Sequence, residues 1–378
     1  MKVPSSSRAY IDLNAYGRNL GVVRSMIPKE CGIIAVVKGN AYGHGAVPIA
    51  RRAVVEGAEM LGVATVKEAV ELRAAGIDAP ILVLVQPAED VLSAAVEYDL
   101  RLTISDVAVA ERVGELARRA NRVVPLHCKI DTGMGRQGFS MDDAVSEMMR
   151  LTRISHIDIE GVCTHFSIAE NGRDPFTANQ VRQFRQVLKL IEKEGIPYEM
   201  THAANSAAVV GHPAAALDMV RPGLMTYGVW PTDSPPAESP LRPVLRWETQ
   251  VILVKDINKG DSVGYGRTFT AGDAIRVAVI PVGYADGYKH SLSNRASVLI
   301  RGKRCAVRGR ISMDQTVVEV TQVPGISVGD TVTLIGTDGR ESITAEELAE
   351  RGGTIPYEIL TGISPRVERE YVDDASES

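Results

Sequence analysis

Lys38 closes an apolar run, IIAVVKGNAYGHG, at the point where a buried strand should stop. Lysine is among the residues least often found there unless it is paired or used. An amine at such a place can attack a carbonyl or act as a base once burial or neighbouring charge loosens its hold on a proton. Comparable residues end later apolar runs. Lys129 and Asp131 close VVPLHCKID, with Arg136 in the glycine loop beyond, and His165 ends IDIEGVCTH. Asn205 and Ser206 follow YEMTHA, and Arg221 and Gly223 follow LDMV. Each alone passes as a solvated strand end, a satisfied histidine or a helix cap. Their recurrence at one point of a repeat indicates an enzyme.

The last two of these loops carry a further signal. ANSAAVVG offers a hydroxyl at Ser206 opening a short helix, and RPGLMTYG offers Gly223, where the backbone can approach an anion closely. Two anion-binding loops opposite a reactive lysine point to a phosphorylated carbonyl cofactor, pyridoxal 5'-phosphate. A competing motif is GMGRQG, Gly133 to Gly138, which satisfies G-x-G-x-x-G and is expected to follow a strand and open a helix. The acid downstream, Asp158, starts its strand, whereas a ribose-binding acid ends one, and Arg136 fills the motif's interior. A dinucleotide site is therefore set aside.

Elements must position these groups. From about residue 30 to residue 222, eight apolar runs alternate with helical patterns: IIAVV, MLGVAT, ILVLV, RLTIS, VVPLHCKI, IDIEGVCTH, YEMTHA and LDMVRP. In TANQVRQFRQVLKLIEKEG, Val181, Phe184, Leu188 and Ile191 recur at three- and four-residue steps and predict one apolar face. Such alternation predicts a (β/α)8 TIM-type barrel, with an open doubly wound sheet as the rival, and barrels build active sites at C-terminal strand ends. A strand-like AYIDLN precedes the repeats. WPTDSPPAESPLRP reads as a linker, and β-like LRWETQVILVK, IRVAVIPV, ASVLIRG, TVVEVT and TVTLIG follow it. There only TAEELAERG looks helical, capped by Thr344 with Gly352 near its end. The expected division is an N-terminal strand over 1–14, a barrel over 15–240 and a mostly β domain over 241–378. The terminal DDASES is expected to fray.

The bulk numbers are those of an ordinary globular chain. Its 378 residues are 45% hydrophobic and 24% charged, with a net charge of -5, and no dense basic stripe suggests nucleic acid. Cys31, Cys128, Cys163 and Cys305 are too widely spaced for a metal site and read as packing thiols. No apolar leader or membrane span is evident, so a cytoplasmic location is expected, without membrane or metal.

Taken in order, AVVKGNAYGHG, HCKIDTGMGRQGF, THF, HAANSAA, RPGLMTYG, VGYGRTF, PVGYADGY, GRISMDQ and IPYEIL resemble the alanine racemase family of pyridoxal-phosphate barrel enzymes. The resemblance runs nearly end to end. It implies a barrel, a β-domain that takes up the AYIDLN strand, and a homodimer whose active sites are shared across the interface. Lys38 would be the Schiff-base lysine and one catalytic base, and Tyr265 of the partner subunit the base on the opposite face. Arg221 would face the pyridine nitrogen and His165 pack against the ring. Tyr42, Ser206, Gly223, Leu224 and Tyr357 would hold the phosphate, with Asn205 beside them.

Arg136 and the backbone of Met313 would hold the substrate carboxylate. Tyr284, Arg310 and Tyr357 would line the entrance, with His202 behind the site. Lys129 matches a lysine that is carbamylated in many relatives. After THF the chain reads SIAEN where relatives often carry AxAD, so Glu170 stands in for the usual entrance aspartate. His44 is read as structural.

The implied activity interconverts L- and D-alanine and supplies D-alanine for peptidoglycan. Racemisation takes a proton from one face of a carbon and returns one to the other, so two bases must flank it. An arginine opposite the pyridine nitrogen cannot hand over a proton, which weakens the ring as an electron sink and restrains transamination. The alternatives are a serine or broad-specificity racemase, a decarboxylase of the same barrel class and a non-catalytic carrier of the cofactor. RISMDQ lacks the cysteine–acid pair of such decarboxylases, and carriers lack the second domain.

Overall fold

The computed structural model describes residues 5–373, so most of the DDASES run lies outside the described residues. The chain divides into two compact units. One comprises Tyr16–Ala41 and Ala46–Arg242. The other takes the described residues up to Ala15, the Tyr42–Gly45 turn and the described residues from Pro243 onward.

The first unit is a closed barrel of eight parallel strands. They are Gly32–Val36, Met60–Val63, Ile81–Val83, Arg101–Ile104, Val124–Asp131, Ile157–Cys163, Met200–Asn205 and Met219–Arg221, numbered one to eight below. Strand eight pairs with strand one and strand four with strand five, which closes the ring and excludes the open sheet. Strands one to three are buried at every residue, as expected of strands covered on both faces. Side-chain caps start some of the helices of this unit. At Val66–Ala74, Thr65 and Glu68 form a reciprocal capping box, and Asp106 caps Val107–Arg119.

The long helix Phe176–Lys193 departs from the face predicted above. Its buried residues are Thr177, Gln180, Phe184, Val187, Leu188 and Ile191, while Val181 is only half-buried. Gln180 takes an inward position because its amide is satisfied there. Its Nε2 donates to Thr132 Oγ1 at 3.2 Å and to the His165 carbonyl at 3.3 Å.

In the second unit, Ser7–Asp12 pairs antiparallel with Leu245–Gln250 and parallel with Glu368–Val372. Trp247, fully buried, donates from its indole N–H to Ser7 Oγ at 2.8 Å. The run LRWETQVILVK is not one strand. It breaks at Val251 and Ile252, and Leu253–Ile257 joins Ile275–Ile280 and Thr316–Glu319 in a separate three-stranded sheet. Residues 230–243 form neither helix nor strand.

Thr344 caps Ala345–Gly352, and the left-handed residue that ends this helix is Gly353 rather than Gly352. A second helix, Pro356–Thr361, corrects the expectation of a single one. Six residues are too few for a periodic signal, but proline suits a first helical turn. Among the described residues, no helix is long and apolar enough to cross a membrane.

Candidate active site

Immediately after strand one the backbone turns left-handed. Gly39, Asn40, Ala41 and Tyr42 have φ of 62°, 53°, 51° and 53°. For residues other than glycine this conformation costs about 1–2 kcal/mol each, so surrounding bonds must hold it. Ala41 N–H donates to the Val37 carbonyl at 2.8 Å, and Gly39 N–H donates to Glu68 Oε1 at 2.6 Å. Asn40 Oδ1 accepts from the Ala46 amide at 2.8 Å. Strain retained in this way is characteristic of functional sites, and here the left-handed run directly follows Lys38. His44 is fully buried, with Nδ1 2.9 Å from the Tyr42 carbonyl oxygen.

Lys38, Lys129, Arg136 and Arg221 line one cavity of the barrel, together with His165 and His202. Among the described residues, no carboxylate lines it. Burial, then the charges of Arg136 and Arg221, holds the half-buried Lys38 amine below the usual lysine range. Lys129, only 7% exposed, is lowered by burial first and then by Arg221, Arg136 and Lys38. Two amines that release protons readily therefore share one positively charged cavity.

Arg221, also buried, is pinned on several sides. Nη2 donates to the carbonyls of Thr164 at 2.8 Å and Ala203 at 2.9 Å, and lies 3.1 Å from His165 Nδ1. Nη1 lies 2.6 Å from His202 Nδ1. Burial and the Arg221 charge push both His165 and His202 well below the usual imidazole range. Both rings are neutral and accept from the guanidinium.

The neighbouring loops are built around hydroxyl and carboxylate acceptors. Ser206 Oγ accepts from the Gly223 amide at 2.8 Å and the Met225 amide at 3.4 Å, which leaves its hydroxyl hydrogen free to donate to an anion. Asn205 caps the helix that Ser206 opens by accepting from the Ala208 amide at 3.0 Å, and Leu224 is buried. Asp131 gathers the amides of Gly133, Met134 and Gly135 at 2.8 to 3.2 Å and so shapes the loop that carries Arg136.

This loop corrects the expectation that GMGRQG opens a helix. A short strand, Phe139–Ser140, follows it, and the next helix starts only at Ala144. Its amides serve Asp131 rather than a pyrophosphate. Gly138, at φ 135°, lets the chain pass so closely that an added Cβ would lie 2.5 Å from the Asp131 nitrogen.

Asn205, Ser206, Gly223 and Leu224 do not line the cavity, and Glu170 is an exposed loop residue whose carbonyl accepts from the Asp233 amide. In the second unit Tyr265 is 70% exposed, on a turn between Gly264 and Gly266, which both have positive φ. A Cβ on Gly266 would lie 3.2 Å from the Arg310 guanidinium, so Arg310 packs beside that turn. Tyr284 and Ala285 donate to the Ser312 and Met313 carbonyls, and Tyr284 and Met313 are themselves exposed. The rings of Tyr42 and Tyr357 stand 5.7 Å apart.

His127, Glu160 and Arg101 had no place in the sequence analysis, yet they connect to this site. His127 Nδ1 lies 2.7 Å from His202 Nε2, and His127 Nε2 lies 2.8 Å from Glu160 Oε2. Arg101 Nε donates to both Glu160 oxygens at 2.8 and 3.0 Å. The available signal was a histidine and a glutamate inside otherwise apolar strands, PLHCKI and IDIEGVC.

Residues 11–231 match the family described as alanine racemase, N-terminal domain, and residues 244–371 match its C-terminal domain. The alanine racemases of Symbiobacterium thermophilum and Halothermothrix orenii are 43% and 40% identical to this chain over 363 residues, covering 96% of each sequence. The solved alanine racemase of Clostridium difficile 630 superposes with a TM-score of 0.94 at 33% identity, covering 99% of this chain and 97% of its own. That of Streptomyces lavendulae gives 0.91 at 36% identity, covering 99% and 98%.

Proposed function

The chain belongs to the alanine racemase family of isomerases, and from that premise we propose that it interconverts L- and D-alanine by a two-base route with pyridoxal 5'-phosphate held in the barrel cavity. One observation carries this reading: an amine with a lowered proton affinity, Lys38, stands among three further basic side chains in a cavity that, among the described residues, no carboxylate lines. Such a donor set fits a phosphate-bearing, electron-poor ring. Lys38 would hold the cofactor through its amine, with Arg221 and His165 beside the ring. Ser206 and the Gly223 and Leu224 backbone, with Tyr42, Tyr357 and Asn205, would serve the phosphate. Bound, the cofactor acidifies the α-proton of an attached amino acid by drawing off its electrons.

The rest of the route belongs to side chains. Lys38 takes or returns the α-proton on one face, and Tyr265 of the partner subunit does so on the other. High exposure of Tyr265, Met313 and Tyr284 supports a second copy covering them, in a homodimer with shared sites. Arg136 and the Met313 backbone hold the substrate carboxylate, and Tyr284, Arg310 and Glu170 shape the entrance. Arg221, which keeps its proton throughout, would face the cofactor's ring nitrogen and supply it no proton. The D-alanine formed would supply peptidoglycan synthesis from the cytoplasm.

The Lys129 side chain makes no hydrogen bond or ion pair among the described residues, while its backbone belongs to the barrel ladder. We expect it to be carbamylated. The neutral amine forms a bond to the carbon of carbon dioxide and releases a proton to solvent, giving an anion that compensates Arg136. With ¹³C-bicarbonate, a carbamate resonance is expected that Lys129→Ala abolishes; no such signal at high bicarbonate would contradict this.

The reaction itself is tested by incubating the holoenzyme with L-alanine. D-alanine should accumulate until the two enantiomers are equal. Carbon dioxide release without inversion would replace this reading with a decarboxylase, and a higher rate on serine would shift the substrate.

A further inference from the structure

Arg221, His202, His127, Glu160 and Arg101 form one hydrogen-bonded file through the barrel interior. It runs from the last residue of strand eight to the first of strand four. Of these five, Arg221 and His202 line the cavity. His127 is fully buried and Glu160 is 7% exposed. The fold makes room for the central ring. Gly161 sits opposite His127 in the strand pairing, and a Cβ there would lie 2.4 Å from His127 Nδ1. Any other residue at 161 would displace this ring.

The ends set the direction of every bond. A guanidinium can only donate, and an ionised carboxylate can only accept. Burial disfavours the charged form of Glu160, but the His127 bond and the Arg101 charge outweigh it and hold the carboxyl below its ordinary range. Burial keeps His127 and His202 neutral, against the pull of Glu160 in the case of His127. A single arrangement then satisfies all three contacts. Arg221 Nη1–H donates to His202 Nδ1, His202 Nε2–H to His127 Nδ1, and His127 Nε2–H to Glu160.

We propose that Glu160 is a positioning residue for the reaction, orienting the Arg221 guanidinium through His127 and His202 from outside the cavity. The contact at Nη1, with those of Nη2 to Thr164, Ala203 and His165, fixes the guanidinium plane. The remaining Nη1–H and the Nε–H are the donors a ligand can take. Reversing either imidazole would set two donors or two acceptors face to face, at a cost that grows with burial. The proposal rests on the reading that Arg221 faces the cofactor. It goes beyond that reading in placing a determinant of the arginine's orientation deep in the barrel.

The test has two arms. In the unmodified holoenzyme with ¹⁵N-labelled histidine, His127 and His202 should both appear as neutral Nε2–H tautomers, with ¹⁵N–¹⁵N coupling across the His202–His127 bond. A doubly protonated ring or an Nδ1–H tautomer at either position overturns the file, and this arm needs no variant to fold. In the second arm, Glu160→Gln keeps the shape and removes the charge. It should lower kcat on the order of tenfold, the scale typical of outer-shell partners, with the KM for alanine little changed and the visible band of the bound cofactor displaced. Glu160→Asp should recover part of the loss. A folded Glu160→Gln protein with unaltered kcat and spectrum overturns the positioning role. Absence of racemisation by the unmodified protein would instead overturn the proposed function, while the NMR arm still reads the file.

Discussion

Replacing Lys38 by alanine is expected to abolish racemisation, lowering kcat by about 10⁴-fold or more, the upper end of what one acid–base group supplies. That corresponds to a barrier raised by about 5.5 kcal/mol. The expectation follows from the two functions proposed for one amine, holding the cofactor and serving as a base. Its site explains the aptitude. Burial and the charges of Arg136 and Arg221 favour the neutral amine, so the reactive form persists to lower pH than for a solvated lysine. Absorbance and polarimetry on the same sample check both functions. The visible band of the bound cofactor should vanish together with the activity. A retained band with lost activity would leave Lys38 as a base only, and retained activity would remove it from the mechanism.

Tyr265→Phe should lose racemisation by about 10²–10⁴-fold yet keep exchange of the α-proton with solvent deuterium from one alanine enantiomer only. In the proposed route each face has its own base, so removing one oxygen leaves the other face served. Equal loss from both enantiomers would contradict the assignment. Delivery by the partner subunit is tested by mixing. A dimer of one Lys38→Ala chain and one Tyr265→Phe chain has a site with both groups intact if the tyrosine crosses the interface. Two inactive variants should therefore recover activity when their subunits are exchanged. No recovery would place Tyr265 in the same chain's site. The 70% exposure of Tyr265, on a turn set by two glycines with positive φ, favours recovery.

Much of the barrel was legible because its strands are short apolar runs bounded by helical periodicity. Each of the eight runs became a strand, and strands one, five, six, seven and eight carry the unusual residues at or just beyond their C-terminal ends. Local patterns failed where a partner far along the chain decides the outcome. LRWETQVILVK reads as one strand, yet its halves belong to different sheets, because Ile252 N–H pairs with Val279 and Val251 N–H with Asp330. The long helix turns Gln180 inward over Val181 since Thr132 and the His165 backbone satisfy its amide. GMGRQG matched a nucleotide motif in letters, but its amides are taken by Asp131.

The amino-acid order alone determined the chemical inventory: a lysine at the first strand end, serine- and glycine-bearing loops at the last two, and motifs that identify the family. Those signals are local, carried by residue type and by spacing within a few turns of chain. Tertiary structure decided which polar groups meet. His127 and His202 are 75 residues apart, and Arg101 and Glu160 are 59 apart. Along a strand, a histidine or glutamate with alternate neighbours looks the same whether it faces water or a partner. Closing the ring between strands four and five turns those side chains inward, where burial makes every unpaired donor costly. That cost, rather than any feature of the local sequence, orders Arg221 through Glu160 into one directed file.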